Sequence, residues 1–102
     1  MQLVYITCKN NEEARDIASF VIEDRLAACA NIFPAHQSLY FWEGKIQSDA
    51  EVAMILKTTK ENFPELKAAI VEKHSYETPC IIALDITDGH APFLNWIKGS
   101  TK

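Results

Sequence analysis

One stretch of the sequence, residues 38–58, constrains the fold more than any other. Its centre, Glu43-Gly44-Lys45, predicts a tight hairpin turn, because glycine readily adopts the positive φ that such a connection needs. The strand before the turn (residues 39–42) and the end of the strand after it (residues 52–56) are apolar at consecutive positions. Since side chains alternate between the two faces of a strand, both faces of this hairpin need cover.

Composition restricts the class of protein. The chain has 102 residues, 48% hydrophobic and 24% charged, which predicts one globular domain over residues 1–102. The net charge of −4 argues against nucleic acid or an anionic membrane as a partner, because both are polyanionic. No apolar run approaches the roughly 18 residues of a membrane span. We expect no signal peptide at the start of the sequence. We also expect Cys8, Cys29 and Cys80 to be buried thiols, which are typical of a reducing compartment, so the expected location is cytoplasmic.

The periodicity of apolar residues predicts the helices and strands. Four strands are expected, at residues 3–7, 32–42, 46–58 and 80–84. Pro34 predicts a bend before the hairpin, because proline cannot donate to a β-ladder. The first helix is expected after Asn10 or Asn11, and its apolar stripe runs Ala14, Ile17, Ala18, Val21, Ile22 and Leu26.

A second helix is expected near Asn62, with Glu65 as its capping-box partner, and a short last helix contains Phe93, Leu94, Trp96 and Ile97. The resulting order indicates an α+β fold, the ferredoxin-like βαββαβ plan with a long β2-β3 hairpin and an extra short C-terminal helix. Both long helices then cover one face of a four-stranded antiparallel sheet. We expect the other face and the hairpin to be covered by further copies of the chain.

The residues that bind metals are scattered. His36, His74 and His90 lack the spacings that place two ligands on one element, and a lone loop histidine is more often a surface residue than a ligand. A thiol from Cys8 with His74 would suit Cu(I), a soft ion, if the end of the first strand meets the end of the second helix.

No nucleophile–base motif or glycine-rich phosphate loop is present, so the sequence does not predict an enzyme. Polar and aromatic residues instead suggest an inter-subunit cleft, formed by Tyr40, Trp42, Glu51, Lys57, Tyr76 and Glu77. Such a cleft would suit a small anionic ligand, with Lys57 as its charge partner. The alternative is that Lys57 and the glutamates form ion pairs between subunits while the aromatic side chains fill the interface.

Four segments together carry a family resemblance. In order, they are Arg25-Leu26-Ala27-Ala28-Cys29-Ala30-Asn31-Ile32, then Ser38-x-Tyr40-x-Trp42-x-Gly44, then Glu51 with Lys57-Thr58-Thr59, and finally His74-x-Tyr76-Glu77-Thr78-Pro79. The chain resembles the CutA family of divalent-cation tolerance proteins essentially from end to end. The resemblance implies a ferredoxin-like homotrimer, with hairpin strands shared between subunits as in PII signalling proteins. It also implies a cytoplasmic role linked to copper and other divalent metals.

The chain departs from the family in one loop. The family's usual His-Pro-Tyr-Glu is His74-Ser75-Tyr76-Glu77 here, and we expect the loss of the fixed proline φ to loosen the loop. The copper ligands implied by a bacterial relative are a first-strand cysteine and two adjacent histidines. His74 matches one histidine, but its neighbour is Lys73, and the cysteine's place falls at Ile6, two residues before Cys8.

Two functions follow from these observations. The first is a trimeric protein of metal homeostasis that binds Cu(I), Cu(II) or another divalent cation weakly through His74 and Cys8. The second is a small-molecule sensor or enzyme that uses the inter-subunit cleft around Lys57 and Glu77. Loss of copper binding in His74→Ala favours the first. A ligand-induced rise in melting temperature that Lys57→Ala abolishes favours the second.

Overall fold

In a computed structural model, which describes residues 1–102, the chain forms a five-stranded antiparallel sheet with three helices. The strands are β1 (Gln2–Cys8), β2 (Cys29–Ile32), β3 (His36–Trp42), β4 (Lys45–Thr58) and β5 (Ile81–Asp85), and the helices are α1 (Asn11–Glu23), α2 (Phe63–Lys73) and α3 (Ala91–Ser100). The α+β class and the antiparallel sheet are confirmed. The structure has five strands where the sequence predicted four. The predicted second strand is divided into β2 and β3, because the chain leaves the sheet at the bend that Pro34 predicted.

Strand β4 is the longest element, with 14 residues. Residues 52–58 pair with β1, and residues 54–57 also pair with β2 on the other side. Residues 45–51 pair only with β3, so the hairpin projects beyond the sheet and the molecule measures 47 × 26 × 23 Å. Glu43 and Gly44 connect β3 to β4 with φ values of 49° and 80°. Two positive φ values define a type I′ turn, which matches the right-handed twist of the strands.

The core lies between one face of the sheet and helices α1 and α2. Alternate residues of β1 and β4 enter it, and the fully buried side chains are Val4, Ile6, Cys8, Met54 and Leu56. They pack against Ala14, Ile17, Val21, Leu66 and Ile70 of the two helices. Burying one large aliphatic side chain contributes about 1.5–3 kcal/mol, so this layer is the main source of stability within one chain. It confirms that both long helices cover the same face of the sheet.

The opposite face of the sheet and the hairpin are apolar but exposed. On β5, Ile82 and Leu84 retain 51% and 52% of their accessible surface. On the hairpin, Phe41 and Ile46 retain 72% and 73%. These are large side chains on adjacent elements, and a single chain leaves them in contact with water.

Helix α1 begins and ends with local hydrogen bonds that its sequence explains. Asn10 is the N-cap, and its side chain accepts the backbone N–H of Glu13 at 2.9 Å. At the other end, Arg25 has a φ of 58°, and the N–H of Leu26 donates to the carbonyl of Val21 at 2.9 Å. This is a Schellman motif with arginine in the usual glycine position. The prediction that Leu26 continues the helical stripe is wrong, because Leu26 is buried beyond the helix end.

The predicted capping box of α2 is also wrong. Asn62 is the N-cap but makes no side-chain bond to the helix. Its amide donates to Thr59 Oγ1 at 2.9 Å and to the carbonyl oxygen of Lys102 at 2.6 Å. The carboxylate of Glu65 pairs with the Lys102 ammonium at 3.1 Å. Lys102 therefore binds both Asn62 and Glu65, the two side chains that were predicted to form the capping box.

Helix α3 docks through fewer residues than predicted. Ile97 is fully buried, whereas Phe93 and Trp96 stack with ring centres 5.6 Å apart and remain 42% and 47% exposed. None of the helices combines the length and apolar character needed to cross a membrane.

Candidate functional site

The fold brings the predicted metal-binding residues together. Cys8 is the last residue of β1, and His74 is the C-cap of α2. One ligand atom from each of Cys8, His74 and Glu13 lies within 4.8 Å of the others. Cys8 and His74 are buried, and Glu13, in the first turn of α1, is partly exposed. The proximity that a shared Cys8–His74 site requires is therefore present, and metal binding itself stays a prediction.

Both ring nitrogens of His74 are occupied by hydrogen bonds within the chain. The backbone N–H of Tyr76 donates to Nδ1 at 3.1 Å. Because Nδ1 accepts, the ring proton lies on Nε2, which donates to the carbonyl of Thr7 at 2.8 Å. His74 is therefore a neutral imidazole that holds the following loop against the end of β1. A metal ion has to displace at least one of these two bonds.

The thiol of Cys8 is strongly biased towards its protonated form. Burial, followed by the carboxylates of Glu13 and Glu51, raises the pKa of Cys8 from 9.0 to about 12. Metals bind the thiolate, so a metal at Cys8 has to displace this proton.

Glu13 is the residue that the sequence analysis missed. Its Oε1 accepts the N–H of Lys9 at 3.0 Å, and its Oε2 accepts the N–H of Ser75 at 2.9 Å. Burial raises the pKa of this carboxyl, but the hydrogen bonds from Ser75 and Lys9 outweigh burial and hold it below 4.5. A signal was available, because Glu13 stands three residues after Asn10. That spacing is typical of a carboxylate that folds back over the start of its helix.

Ser75 replaces the proline of the family pattern without losing the loop's attachment. The preceding His74 has φ −74° and ψ 142°, the extended conformation that a residue before proline adopts. The Ser75 N–H donates to Glu13, which proline is unable to do. The loop therefore has a backbone hydrogen bond to α1 at the position where the family pattern has proline, and the predicted loosening of the loop stays a prediction.

A groove of about 670 Å³ opens where the hairpin leaves the sheet. Its lining includes Tyr40, Glu51 and Tyr76, three of the six residues that were predicted to form the inter-subunit cleft. The Tyr76 hydroxyl donates to Glu51 at 2.7 Å, and the Tyr40 hydroxyl donates to Asp49 at 2.5 Å. Burial and the bond to Glu51 raise the pKa of Tyr76, and the bond to Asp49 raises the pKa of Tyr40. Both phenols are therefore protonated donors.

The other three predicted cleft residues do not line this groove in the single chain. Lys57 is six residues beyond Glu51 on β4, about 20 Å away at the rise of an extended strand. Its ammonium donates to the side chain of Asn31 and lies 5.7 Å from the centre of the Phe93 ring. Trp42 is 61% exposed at the hairpin tip, and Glu77 is exposed in the loop after α2. A cleft that contains all six residues stays a prediction about the assembled protein.

The groove of the single chain is acidic. Its lining includes the carboxylates of Asp49 and Glu51 and has no basic side chain. Within one chain, Lys57 therefore does not provide the charge partner for a small anion that the sequence suggested.

Comparison with known proteins identifies the family. The profile of the family described as CutA1 divalent ion tolerance protein matches residues 2–100. The divalent-cation tolerance protein CutA of Archaeoglobus fulgidus is 49% identical over 94 residues, which cover 92% of this chain and 91% of that protein. The chloroplastic CutA protein of Arabidopsis thaliana is 41% identical over 98% of this chain. The chain spans about half the length of such plant relatives, 55% in Arabidopsis thaliana and 56% in rice.

Solved structures share the fold. The divalent cation tolerance protein of Thermus thermophilus aligns with a TM-score of 0.96 and 41% identity over the whole of both chains. CutA1 of Oryza sativa aligns with a TM-score of 0.96 and 40% identity, covering 99% of this chain and 93% of that one. These matches confirm the resemblance that the four sequence segments carried. The chain belongs to the CutA1 family of divalent ion tolerance proteins.

Proposed function

We propose that this protein is a homotrimeric, cytoplasmic protein of divalent metal tolerance that binds copper weakly through Cys8 and His74. It acts as a binding or regulatory platform and not as an enzyme. The observation that carries this proposal is the meeting of a buried thiol and a buried imidazole at the ends of β1 and α2. Thiolate and imidazole are donors that suit copper, and the soft thiolate favours Cu(I). The names of the relatives, divalent-cation tolerance proteins, support the same role.

The environment of the two ligands supports weak binding. With a pKa of about 12, Cys8 must lose a proton that is strongly held at neutral pH. The apparent affinity falls about tenfold for each pH unit below that pKa, which is a factor on the order of 10⁵ at pH 7. His74 must also give up a hydrogen bond to Tyr76 or to Thr7. Such a site responds to metal excess and does not hold an ion permanently.

The exposed sheet face supports the trimer. Ile82 and Leu84 on β5, together with Phe41 and Ile46 on the hairpin, form apolar surface that a stable soluble protein covers. A ferredoxin-like domain whose projecting hairpin pairs with neighbouring copies, as in PII proteins, covers this surface without any other partner.

The metal role is tested by titrating the purified protein with Cu(I) and Cu(II) at fixed pH. We expect submillimolar binding that is lost in His74→Ala and in Cys8→Ser. His90→Ala is the matched control, because His90 is exposed at the start of α3 and lies outside the cluster. Thermal melts establish that each variant is folded. Copper binding that persists unchanged in His74→Ala removes His74 from the site.

A second function, a small-molecule sensor or enzyme in the inter-subunit cleft, is favoured by the groove that Tyr40, Glu51 and Tyr76 line. It requires a neighbouring copy to supply Lys57, because Lys57 lies about 20 Å from Glu51 along β4. A metabolite screen should then raise the melting temperature, and Lys57→Ala should abolish the shift. Absence of any shift means that the groove is structural.

A further inference from the structure

We propose that Glu13 is a third ligand, which makes Cys8, Glu13 and His74 a site for a divalent cation of the Zn²⁺ or Co²⁺ type. The inference rests on the metal role proposed above for Cys8 and His74, and it adds a ligand and a class of metal. Nothing in the sequence pattern indicated Glu13 as a ligand. The structure alone places its carboxylate beside the thiol and the imidazole.

The spacing of the three ligand atoms is close to that of a coordinated ion. They lie within 4.8 Å of one another. A tetrahedral Zn²⁺ ion, with bonds of about 2.0–2.3 Å, has its ligand atoms roughly 3.5 Å apart. The cluster therefore needs to contract by about 1 Å. Glu13 has three side-chain torsions and is partly exposed, so its carboxylate can supply part of this movement within its hydrogen bonds to Lys9 and Ser75.

The donor set selects the class of metal. A thiolate, an imidazole and a carboxylate are all ordinary ligands of Zn²⁺, whereas Cu(I) prefers the soft thiolate and gains little from a carboxylate. Two of the three donors are anionic when a metal is bound, and they neutralise a divalent cation. The metal also removes the repulsion between the Cys8 thiolate and the Glu13 carboxylate. With three protein ligands, one position of the ion is left to water or to a passing ligand.

The existing hydrogen bonds orient Glu13 without using up its acceptor sites. A carboxylate has about four lone-pair positions, and the N–H groups of Lys9 and Ser75 use two. Glu13 can therefore bind a metal while both backbone groups hold it in place. The Ser75 N–H, which a proline would lack, is one of these two supports.

His74 is expected to coordinate through Nδ1. In that case Nε2 keeps its proton and its bond to Thr7, and only the Tyr76 N–H loses its acceptor. Coordination through Nε2 would move the ring proton to Nδ1, opposite the Tyr76 N–H, and both bonds would be lost. The proton balance is simple, because the Cys8 thiol releases one proton to solvent for each metal ion bound.

The test is a Co²⁺ titration of the full chain, because Co²⁺ substitutes for Zn²⁺ and is coloured. We expect one equivalent to bind with a thiolate-to-cobalt charge-transfer band and tetrahedral visible bands. Glu13→Gln should weaken Co²⁺ binding by about tenfold or more without weakening Cu(I) binding, because loss of the Glu13 carboxylate also lowers the pKa of Cys8. Glu12→Gln is the matched control, because Glu12 is an exposed neighbour in the same helical turn. Unchanged Co²⁺ affinity and spectrum in Glu13→Gln overturn the proposal, and His74-dependent copper binding would still stand.

A second measurement needs no variant. With one equivalent of Zn²⁺, the side-chain carboxyl carbon signal of Glu13 should shift in the NMR spectrum while that of Glu12 stays in place. If Zn²⁺ binds and the Glu13 signal does not move, Glu13 is not a ligand. If neither Zn²⁺ nor Co²⁺ binds at millimolar concentration, the divalent site is excluded. If Cu(I) also fails to bind, the proposed metal-binding function is excluded as well.

Discussion

At the scale of single residues, Ser75 stabilises the loop after α2 by a hydrogen bond, where the proline of the family pattern would restrict the backbone. Proline would fix φ and reduce the entropy of the unfolded chain. Ser75 instead donates its N–H to Glu13, in a position where His74 still has the extended conformation that precedes a proline. The lowered pKa of Glu13 means that its contribution to stability is present above pH 4.5 and is lost as pH falls through the lowered value.

Replacing Ser75 by proline tests this exchange. In Ser75→Pro, Glu13 loses the side-chain hydrogen bond from Ser75, which is the largest effect lowering its pKa, and one of its two backbone donors, so we expect its pKa to rise towards 4.5. An NMR titration of the side-chain carboxyl carbon measures this. Ser75→Thr is the control, because it keeps both the N–H and the hydroxyl. An identical Glu13 pKa in the wild type and in Ser75→Pro would show that the bond has no energetic effect.

Residue type alone was enough to select Cys8 and His74 as a candidate pair, because thiols and imidazoles are common soft and borderline ligands. It did not select Glu13, which looks like any acidic residue in the first turn of a helix. What distinguishes Glu13 is its contact with Lys9 and Ser75, and the second contact joins residues that are far apart in the sequence.

At the scale of elements, the hairpin turn follows closely from its sequence. Gly44 was predicted to take a positive φ, and it does, at 80°. The sequence did not show that Glu43 also has a positive φ, of 49°, because glutamate is rare in that conformation. The two-residue connection between β3 and β4 requires both values, and the pairing of the strands imposes them.

Adding a methyl group at two different glycines compares two backbone conformations, because neither Cβ would contact another atom. A Cβ at Gly44 meets no atom within 4 Å, so the cost of Gly44→Ala comes from φ +80° alone, about 1–2 kcal/mol. A Cβ at Gly99, in α3, also meets nothing within 4 Å, and alanine there favours the helix by up to about 1 kcal/mol. Denaturant unfolding should therefore show changes of opposite sign. Destabilisation of similar size at both positions would contradict this account.

At the scale of the whole molecule, the open face of the sheet is the main feature that a single chain leaves unexplained. Residues predicted to lie in a strand covered on both faces, Ile82 and Leu84, are half exposed. The cover predicted from the sequence therefore has to come from outside the chain, as the proposed trimer supplies it.

A charge on that face tests the assembly. We expect Ile82→Asp to convert the trimer to monomers at micromolar concentration, because each interface would bury an unpaired carboxylate. Val71→Asp is the matched control. Val71 has the same 51% exposure but lies on α2, in the helical layer on the other side of the sheet. Sedimentation velocity measures the outcome, and a wild-type monomer, or an intact Ile82→Asp trimer, would exclude this face as the interface.

The sequence by itself determined the α+β class, the hairpin and its turn, the bend at Pro34 and the family. These features depend on local periodicity, on the φ preferences of glycine and proline, and on short motifs. Only the tertiary structure decided which distant residues meet. It placed Glu13 beside Cys8 and His74, and within one chain it separated Lys57 from the groove of Glu51 and Tyr76. Such distances depend on how the ends of β1, α1 and α2 pack together, and no local pattern records that packing.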